Sequence, residues 1–210
     1  MRNDGTNELF GYWNRLRGTR AAPERREVAP ASIGKNLADT FIIQALGHGE
    51  PRFRLAGTRI CSIYGRELRG LAFASLWQTR DRSNIARLVK NSMTNKSVVQ
   101  LNFEGRTTRG RKALFQLILL PLANEANDRH VLGMVTSPGR PFWLESDAII
   151  ENRIQSISII DPRYPSRSLS SSAMAADPEI PGTKGLAASQ SIISRKVAHL
   201  RVFDGGKIIG

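Results

Sequence analysis

Leu9, Phe10, Trp13 and Leu16 recur at helical intervals, with Asn14, Arg15 and Arg17 between them. That spacing predicts an amphipathic helix of about three turns, and Gly18 is placed to stop it. A polar connection follows, carrying Pro23, Pro30 and the charged run Glu24-Arg25-Arg26-Glu27. Pro30 suits the first turn of a short helix through Ile33 and Leu37, although Ala29 before it is a weak N-cap. Phe41, Ile42, Ile43, Ala45 and Leu46 form an apolar run that ends at Gly47-His48-Gly49-Glu50-Pro51. Phe53 and Leu55 then alternate with Arg52 and Arg54, the period of a half-buried strand. The pattern predicts a β-hairpin.

Gly57 breaks the alternation, and Ile60, Ile63 and Tyr64 return to helical spacing before Gly65. Gly-Arg-Glu-Leu-Arg-Gly (residues 65–70) closes the segment with a turn. Leu71, Phe73, Leu76 and Trp77 lie in a short irregular piece. Asp81 or Ser83 is placed to cap a longer helix, in which Ile85, Leu88, Val89 and Ser92 share one face while Arg82, Arg87 and Lys90 lie off it. Beyond Lys96, Val99, Leu101 and Phe103 alternate with Gln100, Asn102 and Glu104. A turn over residues 105–110 leads into a strand from Lys112 to Leu122. Leu117 to Leu120 is continuously apolar, as expected of a strand covered on both faces. His130 to Val135 is the last predicted strand, and Gly133 there allows a close backbone approach. Five strands, with helices between the second and third, predict an α+β domain built on one antiparallel sheet.

The character changes after Pro138. Phe142, Trp143 and Leu144 form an apolar knot, and Ile149, Ile150, Ile154, Ile157 and Ile160 follow. Residues 163–191 are rich in Ser, Ala, Pro and Gly, which predicts a disordered linker. Apolar content returns in the tail with Val197, Leu200, Val202, Phe203 and Ile208, and Asp204-Gly205 is a favoured turn pair. The expected organisation is therefore a helix and connection (1–30), a domain (31–138), an apolar extension (139–162), a linker (163–191) and a tail (192–210) that docks on the sheet or a partner.

Charge and chemistry narrow the reading further. The net charge is +13, and residues 31–150 alone carry 17 basic against 9 acidic side chains. The excess therefore sits in the folded middle and favours solubility and anionic partners. There is no apolar run long enough for a transmembrane helix and no signal-peptide core near the start. A single cysteine, Cys61, forms no internal disulfide, which fits a cytoplasmic protein. His48, His130, His199 and Cys61 lack metal-ligand spacing, so no metal is expected. No nucleophile elbow, Walker loop or dinucleotide fingerprint is present. Residues 105–110 superficially suggest a phosphate cradle, but they join two strands and open no helix. No enzyme is expected.

The order of strand, small-residue break, short helix and Gly-x-Glu-Leu-x-Gly between Arg52 and Gly70 resembles the front half of a PAS domain. The similarity extends over roughly Leu9 to Pro138, returns in the last residues, and is nearest to small alphaproteobacterial PAS proteins with an N-terminal Tyr-Trp helix. The resemblance implies a PAS-like five-stranded antiparallel sheet with helices on one face, plus the N-terminal helix and a partly disordered C-terminal extension. It also implies a cytoplasmic regulator of stress or cell-cycle signalling. None of the histidines sits on the long helix where haem-binding PAS domains carry theirs. Cys61 lies outside the Asn-Cys-Arg setting of the light-sensing flavin subclass, so no cofactor is expected.

Two functions from different classes fit this resemblance. The favoured one is an interaction module: a homodimer that docks on a signalling protein such as a kinase. Its surface would comprise Leu9, Phe10, Tyr12, Trp13 and Leu16 of the first helix, with Leu200, Val202 and Phe203 of the tail. The alternative is a sensor holding a small ligand between sheet and helices, lined by Phe53, Tyr64, Phe73, Trp77, Phe115 and Leu117 and anchored by Arg59 or Gln116. Nucleic-acid binding is permitted by charge but disfavoured, because the arginines near Arg52, Arg59, Arg66 and Arg69 lack interleaved aromatics.

Overall fold

The computed structural model describes residues 5–123, 128–160, 196–197 and 200–202, the last two groups as backbone alone. Four helices precede or interrupt the sheet: α1 (Gly5–Arg17), α2 (Pro30–Ile33), α3 (Thr58–Tyr64) and α4 (Thr79–Asn95). The strands are β1 (Thr40–Leu46), β2 (Arg52–Ala56), β3 (Val98–Thr107), β4 (Lys112–Pro121), β5 (Asp128–Thr136), β6 (Ile149–Ile160), β7 (Lys196–Val197) and β8 (Leu200–Val202). They form one sheet in the order β2-β1-β5-β4-β3-β6-β8-β7, every pairing antiparallel. The linker expected at 163–191 lies outside the described residues.

Local chemistry accounts for most of the element boundaries. Gly18 and Gly65 hold φ of 56° and 60° just past α1 and α3, the left-handed conformation that glycine adopts without a Cβ clash. Pro30 opens α2, and Ala29 before it makes no side-chain cap. α4 begins at Thr79, and neither Asp81 nor Ser83 caps it. Asp81 is used elsewhere: its carboxylate accepts from the Ile154 backbone N–H of β6 at 3.0 Å.

The expected five strands are all present, and β6 is a sixth, drawn from the segment read as an extension. It pairs with β3 along nearly its whole length, from Val98↔Ile160 to Thr107↔Ile149. Two register shifts in that ladder each insert one extra residue, Gln155 and Ile150. Such bulges break strict alternation, so the isoleucines mimic helical spacing.

The sheet is covered on both faces in its middle. On the inner face, α3, α4 and the turn carrying Phe73 and Leu76 pack over Phe41, Phe53, Phe103, Phe115, Leu117 and Leu119. On the outer face, Leu9 and Trp13 of α1 pack over Ile118, Leu120, Leu132 and Met134. Trp13 is fully buried, and its indole N–H donates to the Pro121 carbonyl at 2.8 Å. The unbroken run Leu117 to Leu120 follows from this arrangement, with alternate residues feeding the two layers.

Candidate functional site

The inner face is the first place where a ligand would sit. Six aromatic rings form a continuous chain through it: Phe41, Phe53, Phe73, Trp77, Phe103 and Phe115, with neighbouring centroids 5.0–6.0 Å apart. Those separations are the tilted and offset contacts that aromatic pairs favour. Together with Tyr64, Leu117 and Asn152, all of these rings but Phe115 line a cavity of about 10 Å³, room for one water. The sequence-derived lining residues Phe53, Tyr64, Phe73, Trp77 and Leu117 do converge there, with Phe115 stacked behind Phe103. They fill the space with their own side chains.

The two polar anchors expected for this cavity lie elsewhere. Gln116 is exposed on the outer face, because Phe115 and Leu117 on either side of it point inward and side chains alternate along a strand. Arg59 sits on the outside of α3 and pairs with Asp39. Burial raises the Asp39 carboxyl above its usual range, against the pull of the Arg59 guanidinium.

The amide side chain that borders the cavity is Asn152 of β6. Its Nδ2 donates to the Tyr64 hydroxyl at 2.8 Å, both groups being buried. Burial pushes the Tyr64 phenol well above its ordinary value. Asn152 Oδ1 and Trp77 Nε1 have no hydrogen-bond partner there. Buried polar atoms are usually paired, so these two are exceptions, on residues that line a cavity whose exposed wall is apolar. Asn152 escaped the sequence reading because its strand did; an asparagine amid isoleucines was the available signal.

The outer face carries a second concavity. Beside the N-terminal end of α1, an open groove of about 560 Å³ is lined by Thr6, Gln100, Asn102, Gln116, Pro138 and Ser158 among others. Gln100 and Asn102 on β3 face Ser158 and Ser156 on β6, and Asn102 Nδ2 donates to Ser156 Oγ at 2.9 Å. Leu114, two residues from Gln116 on the same face of β4, is 62% exposed.

The residues expected to form an interaction surface divide. Leu9 and Trp13 are consumed by the chain's own outer core, because α1 must cover Ile118, Leu120, Leu132 and Met134. Phe10, Tyr12 and Leu16 are half-buried on the flank of α1, and the Tyr12 hydroxyl accepts from the Ala29 N–H at 2.9 Å. The backbone of β8, which includes Leu200 and Val202, pairs with β6 through Ser158↔Val202 and Ile159↔Arg201. Phe203 lies outside the described residues. Among the described residues no group of three or more His, Cys, Asp or Glu could hold a metal, and no helix is long and apolar enough to cross a membrane.

The family model described as "PAS domain" matches residues 1–136. The chain belongs to the PAS domain family. Solved structures to which the chain is similar include a PAS domain from a two-component sensor histidine kinase. It shares 16% identity and a TM-score of 0.35, over 49% of this chain and 87% of that one. The PAS domain of a protein from Colwellia psychrerythraea has 14% identity and a TM-score of 0.38, over 50% and 92%. The Rhodobacter sphaeroides LOV protein has 12% identity and a TM-score of 0.39, over 70% and 74%. No curated protein matches the chain. In this PAS domain the inner face is packed by aromatic side chains, and the outer sheet face is the more open surface.

Proposed function

We propose that this PAS domain is a non-catalytic regulatory module of the cytoplasm, which dimerises through its outer sheet face and docks on a signalling partner such as a kinase. PAS domains are sensory and interaction modules of signal transduction, and the contrast between the two faces favours interaction here. The observation that carries the reading is the outer groove: its lining residues Gln100, Asn102, Gln116 and Ser158, with Ser156 paired beside Asn102, bear amides and hydroxyls. Such groups both donate and accept, so the patch is complementary to itself across a two-fold axis. Leu114 supplies an apolar contact at its rim.

Native mass spectrometry at micromolar concentration tests the proposal. The expected species is a dimer, and Gln116→Arg, which sets like charges against each other across the axis, should return it to monomer. A wild-type monomer overturns the proposal. Deleting α1 is a poor substitute, because it uncovers the apolar outer core.

A second reading, a small-ligand sensor, is favoured by Asn152 Oδ1 and Trp77 Nε1, an acceptor and a donor left without partners on two residues that line the inner cavity. Seating a ligand there requires the aromatic rings to part. Extra mass on each subunit in the same spectrum would support that reading.

A further inference from the structure

α4 buries Ile85, Val89, Ser92 and Met93 and turns its other side outward. That outward side carries Arg80, Arg87 and Lys90, interspersed with the exposed neutral residues Ser83, Asn84, Asn91 and Thr94, while Arg82, exposed at the helix start, shares the spacing of the buried Ile85 and Val89. The helix holds one acid, Asp81, and it is turned towards β6, where it accepts from Ile154 N–H. Arg129 of β5 adds a further cation near the C-terminal end, with its guanidinium 3.4 Å from Thr94 Oγ1. The result is a row of cations without an exposed carboxylate on the helix.

Folding alone does not call for this row. Cations near a helix C-terminus complement the dipole, which suits Arg129 beside Thr94, whereas Lys90 stands more than a turn before the end and donates to the His48 carbonyl at 3.4 Å. Arg80 and Arg82 stand in the first turn, where the dipole favours acids. Their local bonds leave most of their donors open: Arg82 Nε donates to the Trp77 carbonyl at 3.0 Å, and Arg80 Nε is 3.9 Å from Asp81. An arginine carries five N–H donors in a fork that fits carboxylates.

We infer that the outward face of α4 docks a carboxylate-rich protein surface, an inference that rests on the docking function proposed above. The strip is 17 residues long, or ~25 Å at the rise of an α-helix, the scale of one acidic helix or strand lying along it. Nucleic-acid single strands are disfavoured because no exposed aromatic residue lies on this face for bases to stack on. A membrane surface is disfavoured because the face offers no large apolar side chain to insert.

Binding to poly-L-glutamate, followed by fluorescence anisotropy at moderate salt, tests the surface. The informative variant is Arg80→Gln/Arg87→Gln/Lys90→Gln. Its control, Arg66→Gln/Arg69→Gln/Arg109→Gln, removes as much charge from exposed positions away from α4. All six residues are exposed, and circular dichroism checks that both variants fold. The expected result is a loss of tenfold or more for the α4 variant and under threefold for the control. Equal losses, no binding by the wild type, or tighter binding of duplex DNA or phosphatidylglycerol vesicles at the same salt would each overturn the inference. Native mass spectra of the same samples keep the two proposals apart. A dimer that ignores polyglutamate removes the α4 surface alone, whereas a monomer removes the dimer interface.

Discussion

Asn152 of β6 reaches across the inner core to donate a hydrogen bond of 2.8 Å to the hydroxyl of Tyr64 at the end of α3. The bond joins the last long strand to the short helix after β2, two pieces 88 residues apart in sequence. Tyr64→Phe should cost about 1–3 kcal/mol, because it leaves a buried amide N–H without its acceptor. Urea denaturation of Tyr64→Phe, Asn152→Leu and the double variant gives the coupling. A double variant more stable than Tyr64→Phe alone is expected, and strict additivity would contradict the bond.

Tyr64 also has a pH consequence. Burial raises its phenol above the ordinary value of 10.0, so the folded state holds the proton longer than the unfolded chain. The stabilisation is complete below about pH 10 and is lost as pH rises towards the folded value. Tyrosinate absorbance should show Tyr64 ionising only with alkaline unfolding, a late step that Tyr64→Phe removes.

Gly133 and Phe41 face each other across the β1–β5 ladder, where they are paired residues. A Cβ on Gly133 would clash with the Phe41 ring. Gly133→Ala should therefore destabilise by about 1–3 kcal/mol, the usual cost of overpacking a core. Adding Phe41→Leu should recover part of that loss in a thermal melt. No recovery would place the strain elsewhere.

These cases show what could be read from the sequence and what could not. Gly133 stood out because an isolated glycine inside a strand pattern implies a close approach. β3 was plain because Val99, Leu101 and Phe103 keep strict period two, and the inner aromatics were found because Phe53, Phe73 and Trp77 fell within recognisable elements. β6 was hidden by its two bulges, which place Ile149, Asn152, Ile154 and Ile157 on the inner side at uneven spacing. With the strand went Asn152, the polar member of the cavity. Gln116 was assigned to the wrong face although its neighbours Phe115 and Leu117 already fixed it outward. The pairing of Arg59 with Asp39 was beyond sequence reasoning, since it depends on how α3 folds back over the turn before β1.

Lys96 ends α4 in the left-handed conformation, with its ammonium donating to the Met93 and Leu122 carbonyls at 2.7 Å each. Burial, with the nearby Arg129 charge, lowers its pKa to about 8 from 10.5. A lowered folded value means that the unfolded chain binds more protons between those limits. Stability should therefore rise as pH increases from about 8 towards 9, above which first the raised Cys61 thiol and then the Tyr64 phenol oppose it. Chemical denaturation across that window should show the rise in the wild type and a flatter profile in Lys96→Gln. A wild-type profile that falls over the same range would contradict the burial of the ammonium.

Cys61 is half-buried on α3, and burial raises its thiol above the usual range, with the Glu67 carboxylate 3.8 Å from its sulfur. The thiolate is the reactive form. Near neutral pH, Cys61 should react several-fold more slowly with Ellman's reagent than free cysteine does. Glu67→Gln should speed the reaction. A wild-type rate matching free cysteine would mean that the sulfur is open to solvent.

The packing of the inner cavity makes the sharpest distinction between a filled core and a ligand site. Phe103 stands between Trp77 and Phe115, with ring centroids 5.0 Å from each. Phe103→Ala should cost about 3–5 kcal/mol, the sum of lost burial and the cavity left behind. A small aromatic such as indole would then bind the space created and raise the melting temperature of the variant by mass action. The wild type, whose cavity holds about 10 Å³, has no room for indole and should melt at the same temperature with or without it. If the wild type is stabilised as strongly as the variant, the rings of Phe73, Trp77 and Phe103 must part readily. The inner face would then be a working pocket, and the sensor reading would displace the interaction module.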